Sequence, residues 1–153
     1  MKTKVLMVCL GNICRSPLAE GILKNKLNPD MFFVDSAGTG GYHIGNAPDP
    51  RSIAVARKYG IDISNQVCRK FSPNDFAEFD IIYAMDKSNY GTIIAQSKNK
   101  ADADKVRLLL SELDVHTIEV PDPYYDADEG FEKVYHLIDT ACTAIANKIE
   151  TGL

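Results

Sequence analysis

The amino-acid sequence predicts an α/β fold: a single three-layer domain on a four-stranded parallel sheet flanked by helices, with an anion-binding loop after the first strand. Three observations carry this. Strand-length apolar runs alternate with segments whose apolar residues recur every three or four positions. Helix-length segments separate successive strands, as parallel pairing requires. The chain of 153 residues, 45% hydrophobic and 25% charged, has the size and make-up of one domain over residues 1–153. No repeat, low-complexity tract or linker divides it.

The first strand is the apolar run Val5 to Val8. Ser16 can cap a helix and Pro17 suits its first turn; Leu18, Ala19, Ile22, Leu23 and Leu27 then form its apolar stripe. Met31 to Val34 reads as the second strand, running into Asp35-Ser36-Ala37-Gly38. Thr39 to Asp49, rich in Gly and Pro, reads as a loop. Asp49-Pro50 opens a helix that Gly60 stops, and Ser72-Pro73-Asn74-Asp75 opens a shorter one. Phe79 to Met85 is the third strand, after which Asp86 or Ser88 caps a helix to about Ala95. Val106 to Leu110 is the fourth strand. The last helix, Gly130 to Ile149, has the cleanest amphipathic pattern, from Phe131, Val134 and Tyr135 through Ile138, Cys142, Ile145 and Ile149.

Ligands of such sheets bind beyond the carboxyl ends of the strands. Cys9 stands at the end of the first strand, and Ser36, Asp86 and the loop after the fourth fall at the matching ends of the others. Between Cys9 and Arg15 the chain turns from strand to helix. Such a loop points N–H groups at one spot, and the helix N-terminus adds partial positive charge. That field favours a thiolate, the nucleophilic form of Cys9. Arg15 can grip an oxyanion above it with two parallel hydrogen bonds. The pattern points to attack of sulfur on phosphorus. Protonating the leaving oxygen requires an acid, and Asp122, stiffened by Pro121 and Pro123 and followed by Tyr124 and Tyr125, is the candidate.

Composition narrows the classes further. A net charge of −4 argues against a general nucleic-acid binder. The apolar run of six from Val5 to Leu10 is too short for a signal peptide or a membrane span, so a cytoplasmic protein with no membrane partner is expected. The four cysteines, at 9, 14, 68 and 142, include no C-x-x-C pair and no zinc spacing, and structural disulfides are not expected. No G-x-x-x-x-G-K follows the first strand, which excludes a Walker-type nucleotide loop.

The run Cys9-Leu10-Gly11-Asn12-Ile13-Cys14-Arg15-Ser16-Pro17 resembles the signature of the low-molecular-weight protein tyrosine phosphatases, and Asp122-Pro123-Tyr124-Tyr125 resembles that family's second motif. Asp35 to Thr39, Gly45 to Arg51 and Met85-Asp86 resemble further landmarks in the right order, so the resemblance spans essentially the whole chain. It implies that Cys9 is the nucleophile of a cysteinyl-phosphate intermediate, that Arg15 binds the phosphoryl oxygens, and that Asp122 is general acid and then base. It implies that Leu10, Gly11, Asn12, Ile13, Cys14 and Ser16 bind the phosphate, with Ser16 also donating to the thiolate. Asn12 and Ser36 would hold the loop's backbone, and Asp86 would accept the loop's backbone N–H groups. Tyr42, Tyr124 and Tyr125 would bind the substrate, a phosphotyrosine protein or small aryl phosphate. Bulky Ile13 fits that choice, since related protein-arginine phosphatases tend to have Thr there. The resemblance implies no metal and no cofactor, and a monomer is expected. The stretch Asn65 to Lys70 departs from the family's common sequence, and no function is carried over to it.

Two rivals differ in testable ways. An arsenate reductase of the same fold needs resolving cysteines after the third strand, and Met85 to Lys100 holds none. A non-catalytic phosphopeptide-binding module would be expected to lack Cys9, Arg15 or Asp122. Among the other cysteines, Cys142 lies on the apolar stripe of the last helix and is expected in the core; Cys68 is expected to be structural. Cys14 either packs beneath the loop or, as the resemblance implies, forms a reversible disulfide with Cys9. His43, near Tyr42, is expected to be a solvated loop residue, the alternative being a contact with substrate.

Overall fold

In the computed structural model, which describes residues 2–113 and 118–150, the strands β1 (Thr3–Cys9), β2 (Phe32–Gly38), β3 (Ile81–Ala84) and β4 (Val106–Leu108) make one parallel sheet in the order β2-β1-β3-β4. The chain winds outward from β1 to β2, then returns across β1 to build β3 and β4. That reversal leaves a crevice at the carboxyl end of β1, where Cys9 pairs with Gly38.

β1 is central, and Val5, Leu6, Met7 and Val8 have no exposed surface. A continuous apolar run is what a strand covered on both faces demands. Its side chains alternate between two cores. Val5, Met7 and Cys9 face helices α1 (Arg15–Lys26), α2 (Pro50–Lys58) and α6 (Asp128–Glu150). Leu6 and Val8 face the short α3 (Asp75–Glu78) and α4 (Lys87–Ala95), through Phe76 and Ile93. The stripe of α6 is buried as its periodicity requires, including Phe131, Ile138, Cys142 and Ile145; each large side chain so buried contributes roughly 1.5–3 kcal/mol. Among the described residues no helix is long and apolar enough to cross a membrane.

Three local expectations differ from the structure. α1 begins at Arg15, with Cys14 at the cap position and no side-chain cap; Ser16 is therefore not the cap, and its hydroxyl turns back toward the loop instead. β4 stops at Leu108, and Leu109–Glu112 forms a 3-10 turn. Leu109 and Leu110 both enter the core beneath α1 and α6; consecutive strand residues point to opposite faces, so only a turn can bury both there. An unanticipated five-residue helix, α5 (Lys100–Asp104), buries no residue. Its one local mark is Asn99, whose side chain accepts from the Asp102 N–H.

Candidate active site

The loop from Leu10 to Cys14 is held from outside by its own carbonyls. Thr39 N donates to Cys9 O, Gly40 N to Leu10 O and Asp49 N to Ile13 O, at 2.8–2.9 Å. The Cys68 thiol donates to Asn12 O at 2.8 Å, and Ser52 Oγ reaches Cys14 O at 3.4 Å. A trans peptide sets its N–H opposite its C=O. With these five carbonyls drawn outward, the N–H groups of Leu10, Gly11, Ile13, Cys14 and Arg15 face the concave side. Gly38 makes this possible: a Cβ there would lie 2.7 Å from Leu10 O.

Asn12 is the pivot. Its φ of 58° is left-handed, the one such value at a non-glycine among the described residues, and Asn tolerates that region better than most side chains. Its side-chain amide donates to Ser16 Oγ at 2.8 Å and Ser36 Oγ at 3.0 Å, and its oxygen accepts from Arg69 N at 3.0 Å. Ser36 Oγ in turn donates to Glu20 at 2.6 Å, whose carboxyl is raised in pKa by burial, against the pull of Ser36 and Lys24. Ser16 Oγ lies 3.0 Å from Cys9 Sγ. A buried hydrogen-bonded chain thus runs from the Cys9 sulfur to Glu20.

Arg15 has 2% of its surface exposed. Its Nη1 donates to Asp86 Oδ2 at 2.6 Å and to Val120 O at 3.0 Å, and its Nη2 lies 3.7 Å from Asp122 Oδ2. Burial opposes its charge, but the Cys9 sulfur, Asp86 and Asp122 together hold the guanidinium above its ordinary pKa. Asp86 departs from expectation. Its oxygens go to Arg15 and to Asn89 N at the start of α4, rather than to the loop's amides. A buried guanidinium in reach is the stronger partner for a carboxylate.

A cavity of about 330 Å³ opens over the loop, lined by Cys9, Leu10, Gly11, Ile13, Cys14, Arg15, Tyr42, His43, Asp122, Tyr124 and Tyr125. The expected residues converge there, except that the Asn12, Ser16 and Ser36 side chains are buried beneath the loop and Asp86 stands behind Arg15. Asp122 projects from the irregular segment 118–127, and its Oδ1 accepts from Tyr124 N at 3.1 Å. Tyr124 and Tyr125 meet edge to face at 5.0 Å, with Tyr125 95% exposed. His43, expected in solvent, lines the cavity beside Gly11.

All four cysteines are free and buried. Burial, helped by Asp49 and Cys9, pushes the Cys14 thiol up to about 12, and burial pushes Cys68 up to about 11. Cys142 lies in the core. The segment left without a role proves to brace the loop: besides the Cys68 and Arg69 contacts to Asn12, Gly38 N donates to Arg69 O at 2.9 Å, and the Arg69 side chain is gripped by Asp35 and Asp75. No periodicity marks it in the sequence. Among the described residues, no group of three or more His, Cys, Asp or Glu side chains is arranged to hold a metal.

Comparison with known proteins agrees with this geometry. The profile of the family described as low molecular weight phosphotyrosine protein phosphatase matches residues 4–152. The human protein of that name is 42% identical over 150 residues, 94% of each chain. The crystal structure of protein tyrosine phosphatase from Entamoeba histolytica, with Hepes in its active site, superposes with a TM-score of 0.93 at 35% identity, covering 99% of both chains. That of Vibrio vulnificus Wzb in complex with benzylphosphonate gives 0.86 at 30% identity, covering 97% of this chain and 99% of that one. The chain therefore belongs to the low molecular weight phosphotyrosine protein phosphatase family.

Proposed function

We propose that this protein hydrolyses phosphotyrosine esters, in proteins or as small aryl phosphates, through a cysteinyl-phosphate on Cys9. One observation carries the reading: Cys9 Sγ lies at the floor of a cavity whose rim holds both Arg15 and, 3.7 Å from it, the Asp122 carboxyl. Nucleophile, cation and proton donor share one space. The thiolate, held by the Ser16 hydroxyl and the start of α1, attacks phosphorus as the aryl P–O bond breaks. Protonated Asp122 gives its proton to the departing phenolate. Arg15 and the loop amides take the charge gathering on the phosphoryl oxygens; one such preorganised donor is worth about 3 kcal/mol. Asp122, now a carboxylate, removes a proton from water as the water attacks phosphorus and the S–P bond breaks, restoring thiolate and acid.

Tyr42, Tyr124 and Tyr125 rim the opening and suit an aromatic ring, edge or face, with about 0.5–1.5 kcal/mol beyond the area buried. The benzylphosphonate in complex with the Vibrio relative likewise carries an aromatic ring, one methylene from its phosphonate. Four unpaired thiols suit the reducing interior of a cell, and the reaction needs only one chain, so we infer a cytoplasmic monomer.

Phosphate release from p-nitrophenyl phosphate and from a tyrosine-phosphorylated peptide tests this. Turnover is expected with chelator present and is expected to vanish in Cys9→Ser, which still binds phosphate. Absence of Cys9-dependent turnover on either substrate overturns the reading.

A further inference from the structure

The loop carrying Asp122 has no secondary structure of its own, yet a general acid must reach the leaving oxygen within hydrogen-bond distance. Upstream, Val120 anchors it: Val120 N donates to Met85 O at 2.8 Å and Val120 O accepts from Arg15. Downstream, one side chain supplies the anchor. Arg51 Nη2 donates to Tyr124 O at 2.9 Å and Nη1 to Asp126 O at 3.1 Å. The guanidinium also sits 4.4 Å from the centre of the Phe131 ring and 5.7 Å from that of Tyr124.

The same guanidinium is forked onto Asp49, Nε to Oδ1 at 3.0 Å and Nη2 to Oδ2 at 2.9 Å. Asp49 also bonds to the backbone on either side. Its Oδ1 caps α2 by accepting from Arg51 N at 2.8 Å, and its N–H donates to Ile13 O at 2.8 Å, inside the phosphate loop. Asp49 is thus tied to the nucleophile's loop and Arg51 to the acid's loop, two residues apart at the start of one helix. A planar fork suits this task, because it meets a carboxylate on one edge and two carbonyls on the other.

We propose that Arg51 is the positioning residue of the general acid, setting the distance from Asp122 to the phosphoryl group by clamping the acid loop to the phosphate loop through Asp49. This rests on the reading of Asp122 as general acid. Arg51 touches neither the thiol nor the phosphate. Its loss therefore leaves anion binding and attack in place and slackens proton delivery alone. That leaves a distinct signature. Esters of acidic phenols expel their leaving group without help, while esters of weakly acidic phenols depend on the proton.

The test is kcat/KM for a series of aryl phosphates, from 2,4-dinitrophenyl to phenyl phosphate, in the parent, Arg51→Met, Asp122→Asn and the double variant, with vanadate inhibition as the readout of the cradle. Met keeps the aliphatic stem against Phe131 and removes every donor. Arg51→Met is expected to cost about 10²-fold on phenyl phosphate, the scale of an ångström's misplacement, and no more than about threefold on the dinitrophenyl ester or in vanadate affinity. The double variant is expected to fall no further than Asp122→Asn, because both changes remove one function. A loss equal on all esters, weakened vanadate binding, an unchanged phenyl phosphate rate, or multiplying effects in the double variant overturns the clamp. If Asp122→Asn itself shows no leaving-group dependence, the acid assignment fails first and the clamp with it.

Discussion

Replacing Asn12 by Ala tests how the phosphate loop is held. The Asn12 side chain makes three buried hydrogen bonds, to Ser16, Ser36 and the Arg69 N–H, and 2% of the residue is exposed. At about 1 kcal/mol net each, with partners left unsatisfied, their loss costs about 3 kcal/mol. Alanine at a φ of 58° adds about 1 kcal/mol, because its Cβ crowds the carbonyl in the left-handed region. The total is about 4 kcal/mol, a urea midpoint lower by roughly 2 M for a slope near 2 kcal/mol/M. Asn12→Gly removes the same bonds but not the left-handed allowance, so it is expected to be about 1 kcal/mol less destabilised than Asn12→Ala. Urea unfolding under reducing conditions measures both, and phosphatase assays of each variant follow the loop itself. If Asn12→Ala unfolds within about 1 kcal/mol of the parent, the buried network does not hold the loop. If Ala and Gly are equal, the left-handed residue carries no strain.

Asp86→Ala strands the buried Arg15 guanidinium and is expected to destabilise the fold by about 3–5 kcal/mol, with weaker vanadate inhibition as the site readout. Ser16→Ala removes the hydroxyl 3.0 Å from the Cys9 sulfur; a hydrogen bond to a charged group is worth about 1.5–3 kcal/mol, so kcat/KM for p-nitrophenyl phosphate is expected to fall roughly ten- to a hundredfold with the fold intact. Cys14, pushed from 9.0 to about 12, binds its proton more tightly folded than unfolded. Its contribution to stability is complete below pH 9.0 and is lost as pH rises toward 12. Cys14→Ser is expected to flatten that alkaline decline in a pH series of thermal melts, and slow alkylation of Cys14 by iodoacetamide at neutral pH is the companion expectation.

The parts of the fold legible in the sequence are those with local causes. Val5 to Val8 had to be a doubly covered strand, because no exposed strand is apolar at every position. The α2 cap was written in Asp49-Pro50, and α6 in its stripe. The placing of Cys9 and Arg15 at one loop was legible because loop and helix start are contiguous. What stayed hidden was long-range. Asp86 sits where both a helix cap and an ion pair are possible, and its reach to Arg15 depends on β3 lying beside β1. Cys68 and Arg69 act on Asn12 from more than fifty residues away, with no period to betray them. The reach of Arg51 to the loop of Asp122 stayed hidden because its partners there are backbone carbonyls, which no side-chain pattern announces.

The central strand has a further consequence. Cys9 ends the strand that is paired on both sides and covered on both faces, so its amides exchange only when the whole domain opens. Asp122 belongs to an irregular, exposed stretch moored at Val120 and Arg51, which opens at far lower cost. The two loops are thus expected to loosen at different temperatures. With Asp122 as the proposed general acid, hydrolysis of esters that need a proton is expected to fade first on warming, while the protein, still folded, goes on binding phosphate.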